Sequence, residues 1–186
     1  MAEYASSYND FTIVDGTFLI TAYDLKLIIA TNVDCLGKSV MTGFVFAESE
    51  NSDAAIRGLQ AFKLGREAAT LMTDGASSYA VTAQTCNMIH ILCVQHYRTT
   101  FLSARSGMPQ DMGTQFLKDC NALIFNVYPT AASFDQAFID CKQSYGGFPA
   151  ALKVIERLER DAERVCATNF SILHSWSCRI TARGIE

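Results

Sequence analysis

Three apolar runs near the N-terminus carry the signature of strands. FTIVDGTF (Phe11 to Phe18), LKLIIATNV (Leu25 to Val33) and SVMTGFVFAE (Ser39 to Glu48) are rich in β-branched and aromatic residues. Asp15-Gly16 marks a break in the first, and DCLGK separates the second from the third. Their close spacing predicts antiparallel neighbours joined by tight turns. The pattern then changes period. NSDAAIRGLQAFKLGRE offers Ser and Asp as helix starters, then apolar residues at Ile56, Leu59 and Phe62. ATLMTDG predicts a short strand ending at Asp74, ASSYAVTAQ a brief helix, and NMIHILC another strand. Strand, helix, strand, helix, strand implies parallel pairing through right-handed crossovers. A three-strand meander followed by this unit predicts an α/β chain with a mixed sheet covered by helices.

From Val94 to Thr168 every periodic segment reads as helix. VQHYRTTFLSAR leads in, and DMGTQFLKDCNALIFNV follows Pro109. SFDQAFIDCKQSY predicts a helix capped by Ser133 and stopped at Gly146-Gly147. PAALKVIERLERDAERVCA predicts one long helix with Pro149 in its first turn, where a proline is tolerated. Leu152, Ile155, Leu158 and Ala162 form its apolar stripe, and Glu156 and Arg160 sit at a favourable i,i+4 spacing on a solvated face. The last stretch, TNFSILHSWSCRITARGIE, reads as loop with a helix beginning near Thr181.

Composition narrows the class. The 186 residues suit one domain with room for an inserted sub-domain, and 49% of them are apolar, enough for a sizeable core. The apolar runs are too short for a membrane span, and the N-terminal MAEYASSYND lacks the basic-then-apolar pattern of a secretory signal. Seven scattered cysteines without a Cys-x-x-Cys pair argue against a disulfide framework and for a reducing compartment. A formal net charge of −4 gives the chain no general attraction for nucleic acid, so affinity for DNA would need a local basic patch or residues outside this chain.

Two acids stand where chemistry gathers in α/β folds. Asp15 and Asp74 each end an apolar strand, and side chains there project into the crevice beyond the sheet. On neighbouring strands their carboxylates would converge, and a divalent cation would relieve the repulsion; Mg²⁺ takes a few carboxylates and keeps waters for a substrate phosphate. Asp-Gly is also a strong turn signal, so both steps read equally as turn chemistry. Cys93 and His96 end the next strand and open the helix after it. A structural zinc needs about four ligands, and no other cysteine spacing supplies them, so Cys93 reads as a small buried residue and His96 as a satisfied polar one. His90 alternates with Ile89 and Ile91 and reads as structural, and Asp10, Asp24 and Asp34 read as turn or surface acids. There is no glycine-rich phosphate loop, no Gly-x-Ser-x-Gly elbow and no His-Glu-x-x-His.

The stretch LMTDGASSYAVTAQTCNMIHILCVQHYRTTF resembles the central block of Mutator-like (MULE) transposases: an apolar strand ending in Thr-Asp, a short helix, a strand, then Cys-x-x-His. FTIVDGTFLITAYDLKLIIATNVDCLGKSVMTGFVFAESENSD resembles the family's first block, with Asp-Gly-Thr on the first strand, a Tyr soon after, a second apolar strand, and a third leading to an acid before a helix. TARGIE resembles the Thr-x-x-x-Glu that opens the family's last catalytic helix. The resemblance implies an RNase H-like (retroviral integrase-type) fold: a mixed five-stranded sheet with flanking helices and an all-helical insertion after the fifth strand. It implies a catalytic core over residues 1–106, the insertion over 107–170, and a loop with the start of the catalytic helix over 171–186.

The same resemblance implies a DDE triad of Asp15, Asp74 and Glu186 and a family Cys-x-x-His at Cys93 and His96. The implied reaction is metal-dependent cleavage of DNA at transposon ends and strand transfer into target DNA. Two Mg²⁺ (or Mn²⁺) ions about 4 Å apart would hold the attacking and leaving oxygens. Asp15 would bridge them, Asp74 would bind one and Glu186 the other. Terminal inverted repeats and target DNA would be the partners, in a homo-oligomer that brings two ends together and works without a membrane. A nuclear location follows if the element is eukaryotic, a cytoplasmic one otherwise. The sequence reaches only one turn into the helix of Glu186 and carries no Cys/His-rich DNA-reading module before Asp15. A weakly active or inactive catalytic core is therefore expected, and a catalytically silent, domesticated DNA-binding protein is the alternative.

Overall fold

A computed structural model describes residues 10–17, 25–34, 38–62 and 69–165. The chain divides into two compact units, with the boundary between Cys93 and Val94.

The first unit is built on strands β1 (Phe11–Thr17), β2 (Lys26–Val33), β3 (Ser39–Ala47), β4 (Thr70–Thr73) and β5 (Ile89–Leu92). They form one open five-stranded sheet in the order β3-β2-β1-β4-β5. The first three pair antiparallel, while β1–β4 and β4–β5 pair parallel. The sheet is therefore mixed, as the change of sequence period predicts. Two helices pack on the sheet: α1 (Ser52–Ala61), capped by the Asn51 side chain on the Ala54 N–H at 2.9 Å, against β3, and α2 (Ser77–Thr85) against β5.

Alternation along the strands decides the faces. Val14, Ile28, Ala30 and Leu71 are buried with Ala54, Ala55 and Leu59 of α1 and with Tyr79 and Ala83 of α2. A polar ladder runs across the same face. The buried hydroxyls of Thr12 and Thr42 both lie within reach of Asn32 Oδ1, at 3.3 and 3.1 Å. Three buried polar groups that satisfy one another pin the register of β1, β2 and β3, because a slip by one residue would leave each without a partner.

The second unit holds α3 (Val94–Arg105), α4 (Gln110–Phe125), α5 (Ala131–Ser144), α6 (Pro149–Arg160) and α7 (Ala162–Val165). Its core is a relay of aromatic rings: Tyr97 to Phe101, Phe101 to Phe116 and Phe116 to Tyr145, with centroids 5.0–6.4 Å apart. Two sequence expectations are corrected here. The cap of α5 is Thr130 rather than Ser133. Ser133 sits at the third helical position and answers as the other half of a capping box, its Oγ accepting from the Thr130 N–H at 3.2 Å. The long charged helix breaks at Asp161. That carboxylate is turned inward and buried, accepts from the Tyr97 hydroxyl and pairs with Arg164, so the backbone leaves helical geometry there.

Candidate functional site

β1, which carries Asp15, and β4, which ends just before Asp74, are parallel neighbours. The pairs Phe11–Thr70, Thr12–Leu71 and Ile13–Met72 set the register. Paired strands lie about 4.8 Å apart; continued two residues further, this register would bring Asp15 of β1 level with Asp74, the residue just past the end of β4. Asp15 is exposed and Asp74 half-buried. No lysine or arginine among the described residues pairs with either.

The two Asp-Gly steps turn out to differ. The expected break at Asp15-Gly16 does not occur: β1 continues through it, with Gly16 opposite Ile28 and Thr17 opposite Leu27. Three consecutive pairings with β2 hold these residues extended, which outweighs the local turn preference. Asp74-Gly75 is a true turn. Asp74 Oδ1 accepts from the Ala76 N–H at 3.0 Å, and Gly75 has φ 94°, a backbone conformation that suits glycine. Thr73 braces this turn from within the sheet: its fully buried Oγ1 pairs with His90 Nε2 at 2.9 Å and accepts from the Gly75 N–H at 3.3 Å. His90 is structural, as expected. One oxygen of Asp74 shapes the turn.

A third carboxylate lies close by, and the sequence does not single it out. Glu50, just before α1, accepts from the Tyr79 hydroxyl at 2.5 Å. Its carboxylate also lies over Gly16, so close that a Cβ there would come within 2.3–2.8 Å of it. The Tyr79 side chain is wholly buried. Burial pushes its phenol well above the ordinary value, and the bond to Glu50 and the charges of Glu50, Asp74 and Asp15 push in the same direction. All three acids are thus felt at one phenol, which stays a proton donor. Glu50 sits in ESENSD among Glu48 and Asp53, and nothing local separates them; only its separation of 29 residues from Tyr79, bridged by the fold, does so.

Cys93 ends β5, its N–H donating to the Thr73 carbonyl at 2.7 Å, with the thiol half-buried and free. His96 is exposed on the first turn of α3. Glu186, like Asp24, lies outside the described residues. Among the described residues no three His, Cys, Asp or Glu side chains are grouped to hold a metal ion, and no helix is long and apolar enough to cross a membrane. Among the described residues Asp15 and Asp74 have no cationic partner, and Mg²⁺ is an ion bound by one or two carboxylates plus waters and phosphate oxygens. No protein-family model matches this chain, and no curated protein matches it.

Proposed function

We propose that this chain is the catalytic domain of a DDE-type transposase with an RNase H-like fold, cutting DNA at transposon ends and joining it to target DNA. The observation that carries this reading is the parallel β1–β4 register, which, continued past the end of β4, would set Asp15 level with Asp74. The mixed five-stranded sheet is compatible with that fold, and the MULE-like motifs fall on the elements the reading needs: Asp-Gly-Thr on β1, Thr-Asp at the end of β4 and Cys-x-x-His across the end of β5 and the start of α3. Asp15 and Asp74 would hold divalent cations, with Glu186 as the third ligand. Bound there, such ions supply charge stabilisation at phosphoryl oxygens and an activated water.

The chain's own contribution is positioning. The Thr73–His90 pair and the Asp74-Gly75 turn fix the second acid. The β1–β2 ladder holds Asp15 extended. Tyr79 keeps Glu50 oriented while remaining protonated. DNA with its inverted repeats and a homo-oligomer are the partners this reading implies.

The test is nicking of supercoiled plasmid, and joining of a pre-cut transposon end, in Mn²⁺ and in Mg²⁺. Wild type is expected to nick weakly, and Asp15→Asn and Asp74→Asn to lose that nicking while keeping their circular dichroism spectrum. Equal nicking by both variants would remove the active-site assignment. A second reading, a domesticated DNA-binding protein without catalysis, is favoured by the lack of a three-ligand metal group among the described residues. Its mark would be DNA bound by wild type and variants alike with no metal-dependent cutting by any of them.

A further inference from the structure

The helical unit contains a cleft unrelated to the acids of the sheet. Its volume is about 400 Å³, and it opens beside the loop that leads into α5. Its floor is aromatic. Phe138 is fully buried at the base, Phe134 stands edge-on to it with centroids 5.1 Å apart, and Tyr128 stands edge-on to Phe134 at 5.3 Å. Each edge-to-face contact sets the edge of one ring against a face of the other, and a ring has a second face that can meet a further group.

The walls of the cleft are acidic: Asp135, Glu159 and Glu163 line it. Glu159 is neutralised, both its oxygens bonded by Lys142 Nζ at 2.6 and 2.8 Å. Asp135 and Glu163 make no ion pair with any described residue. Among the described residues no lysine or arginine lines the cleft to balance them.

Aromatic faces beneath two unpaired carboxylates are complementary to one chemistry. A flat cation on an apolar stem stacks on a ring through its charge and forks its N–H groups to a carboxylate. A neutral aliphatic side chain would leave the carboxylates without any role, and an anion would be repelled by them. A volume of about 400 Å³ lies within the range of sites that enclose a small ligand.

We infer that this cleft is a docking site for an arginine side chain of a partner polypeptide, its guanidinium resting on the Tyr128–Phe134 rings and pairing with Asp135 and Glu163. The inference is independent of the transposase reading, because none of these residues belongs to the sheet and the site requires no catalysis.

The test is a titration of the full 186-residue chain with acetyl-arginine methylamide, followed by amide and aromatic NMR shifts. The control ligand is acetyl-citrulline methylamide, which has nearly the same shape and no charge. A single residue in an open cleft should bind in the millimolar range, about the strength of a few weak contacts. The expected result is a saturable shift confined to Ala131, Phe134, Phe138 and Glu163. It should weaken several-fold as ionic strength rises from about 0.02 to about 0.3 M, as exposed charge pairs do. Asp135→Asn with Glu163→Gln should reduce the affinity at least about fivefold, by loss of both charge partners. Both side chains are exposed, so the double variant keeps the fold. Equal binding of citrulline, unchanged affinity in the double variant, or no saturable shift up to about 50 mM arginine ligand, some fiftyfold beyond a constant of about 1 mM, would each overturn the inference.

Discussion

Gly16→Ala tests the link between the first strand and Glu50. The backbone of Gly16 is ordinary extended strand, so alanine fits its torsions; what it meets is the Glu50 carboxylate at 2.3–2.8 Å. Glu50 is the flexible end of a side chain and will swing away. Its departure breaks the 2.5 Å bond from Tyr79, whose wholly buried hydroxyl is then left without an acceptor. An unsatisfied buried hydroxyl costs about 1–3 kcal/mol. Replacing glycine by alanine within a strand returns about 0.5–1 kcal/mol of backbone entropy. The net expectation is a loss of about 1 kcal/mol of stability, the difference of these two terms. In a Tyr79→Phe background there is no hydroxyl to orphan, so the same substitution should become neutral or stabilising by about 0.5 kcal/mol. The coupling between the two sites is thus about 1–3 kcal/mol. Native-state hydrogen exchange at the Val14 and Leu71 amides reads the sheet unit by itself. If Gly16→Ala has the same effect in both backgrounds, Glu50 is not held between Gly16 and Tyr79, and its place beside the site falls with it.

Three further outcomes are expected. Mg²⁺ or Mn²⁺ should raise the melting temperature of wild type by mass action; Asp15→Asn or Asp74→Asn should abolish that rise while slightly stabilising the metal-free chain, because the like-charge neighbour is gone, and an equal response in all three proteins would count against a cation at the pair. Thr130→Ala should cost about 1 kcal/mol in urea unfolding through loss of the α5 cap, and hydrogen exchange should quicken first at Ser133 and Phe134; an unchanged rate there would refute the capping box. Burial and the bond to Glu50 raise the Tyr79 phenol, and burial and the bond to Asp161 raise that of Tyr97, against the opposing pull of Arg157. These raised values contribute stability that is full below about pH 10, the ordinary tyrosine value, and is lost as pH climbs past it; in a spectrophotometric titration, Tyr79→Phe should remove one late-ionising phenol, and loss of a normally titrating one instead would contradict its burial.

The sequence by itself determined the elements. Periods of two and 3.6 are local properties of a strand or helix, so β1 to β5 and most helices fall where the apolar spacing places them, and Asp74-Gly75 forms the turn its dipeptide favours. Local chemistry failed where distant partners outbid it. Asp15-Gly16 stays extended because β2 pairs across it, and the charged helix breaks because Tyr97, 64 residues away, binds Asp161. Only the tertiary structure decided which acids meet. β1 and β4, which lead to Asp15 and Asp74, pair in parallel across nearly sixty residues of chain, and Glu50 bonds Tyr79 because the crossover through α1 and β4 returns that tyrosine to it. A carboxylate reads the same at any position in a sequence; its neighbours, and the proton affinities they impose on one another, exist only once the strands are paired.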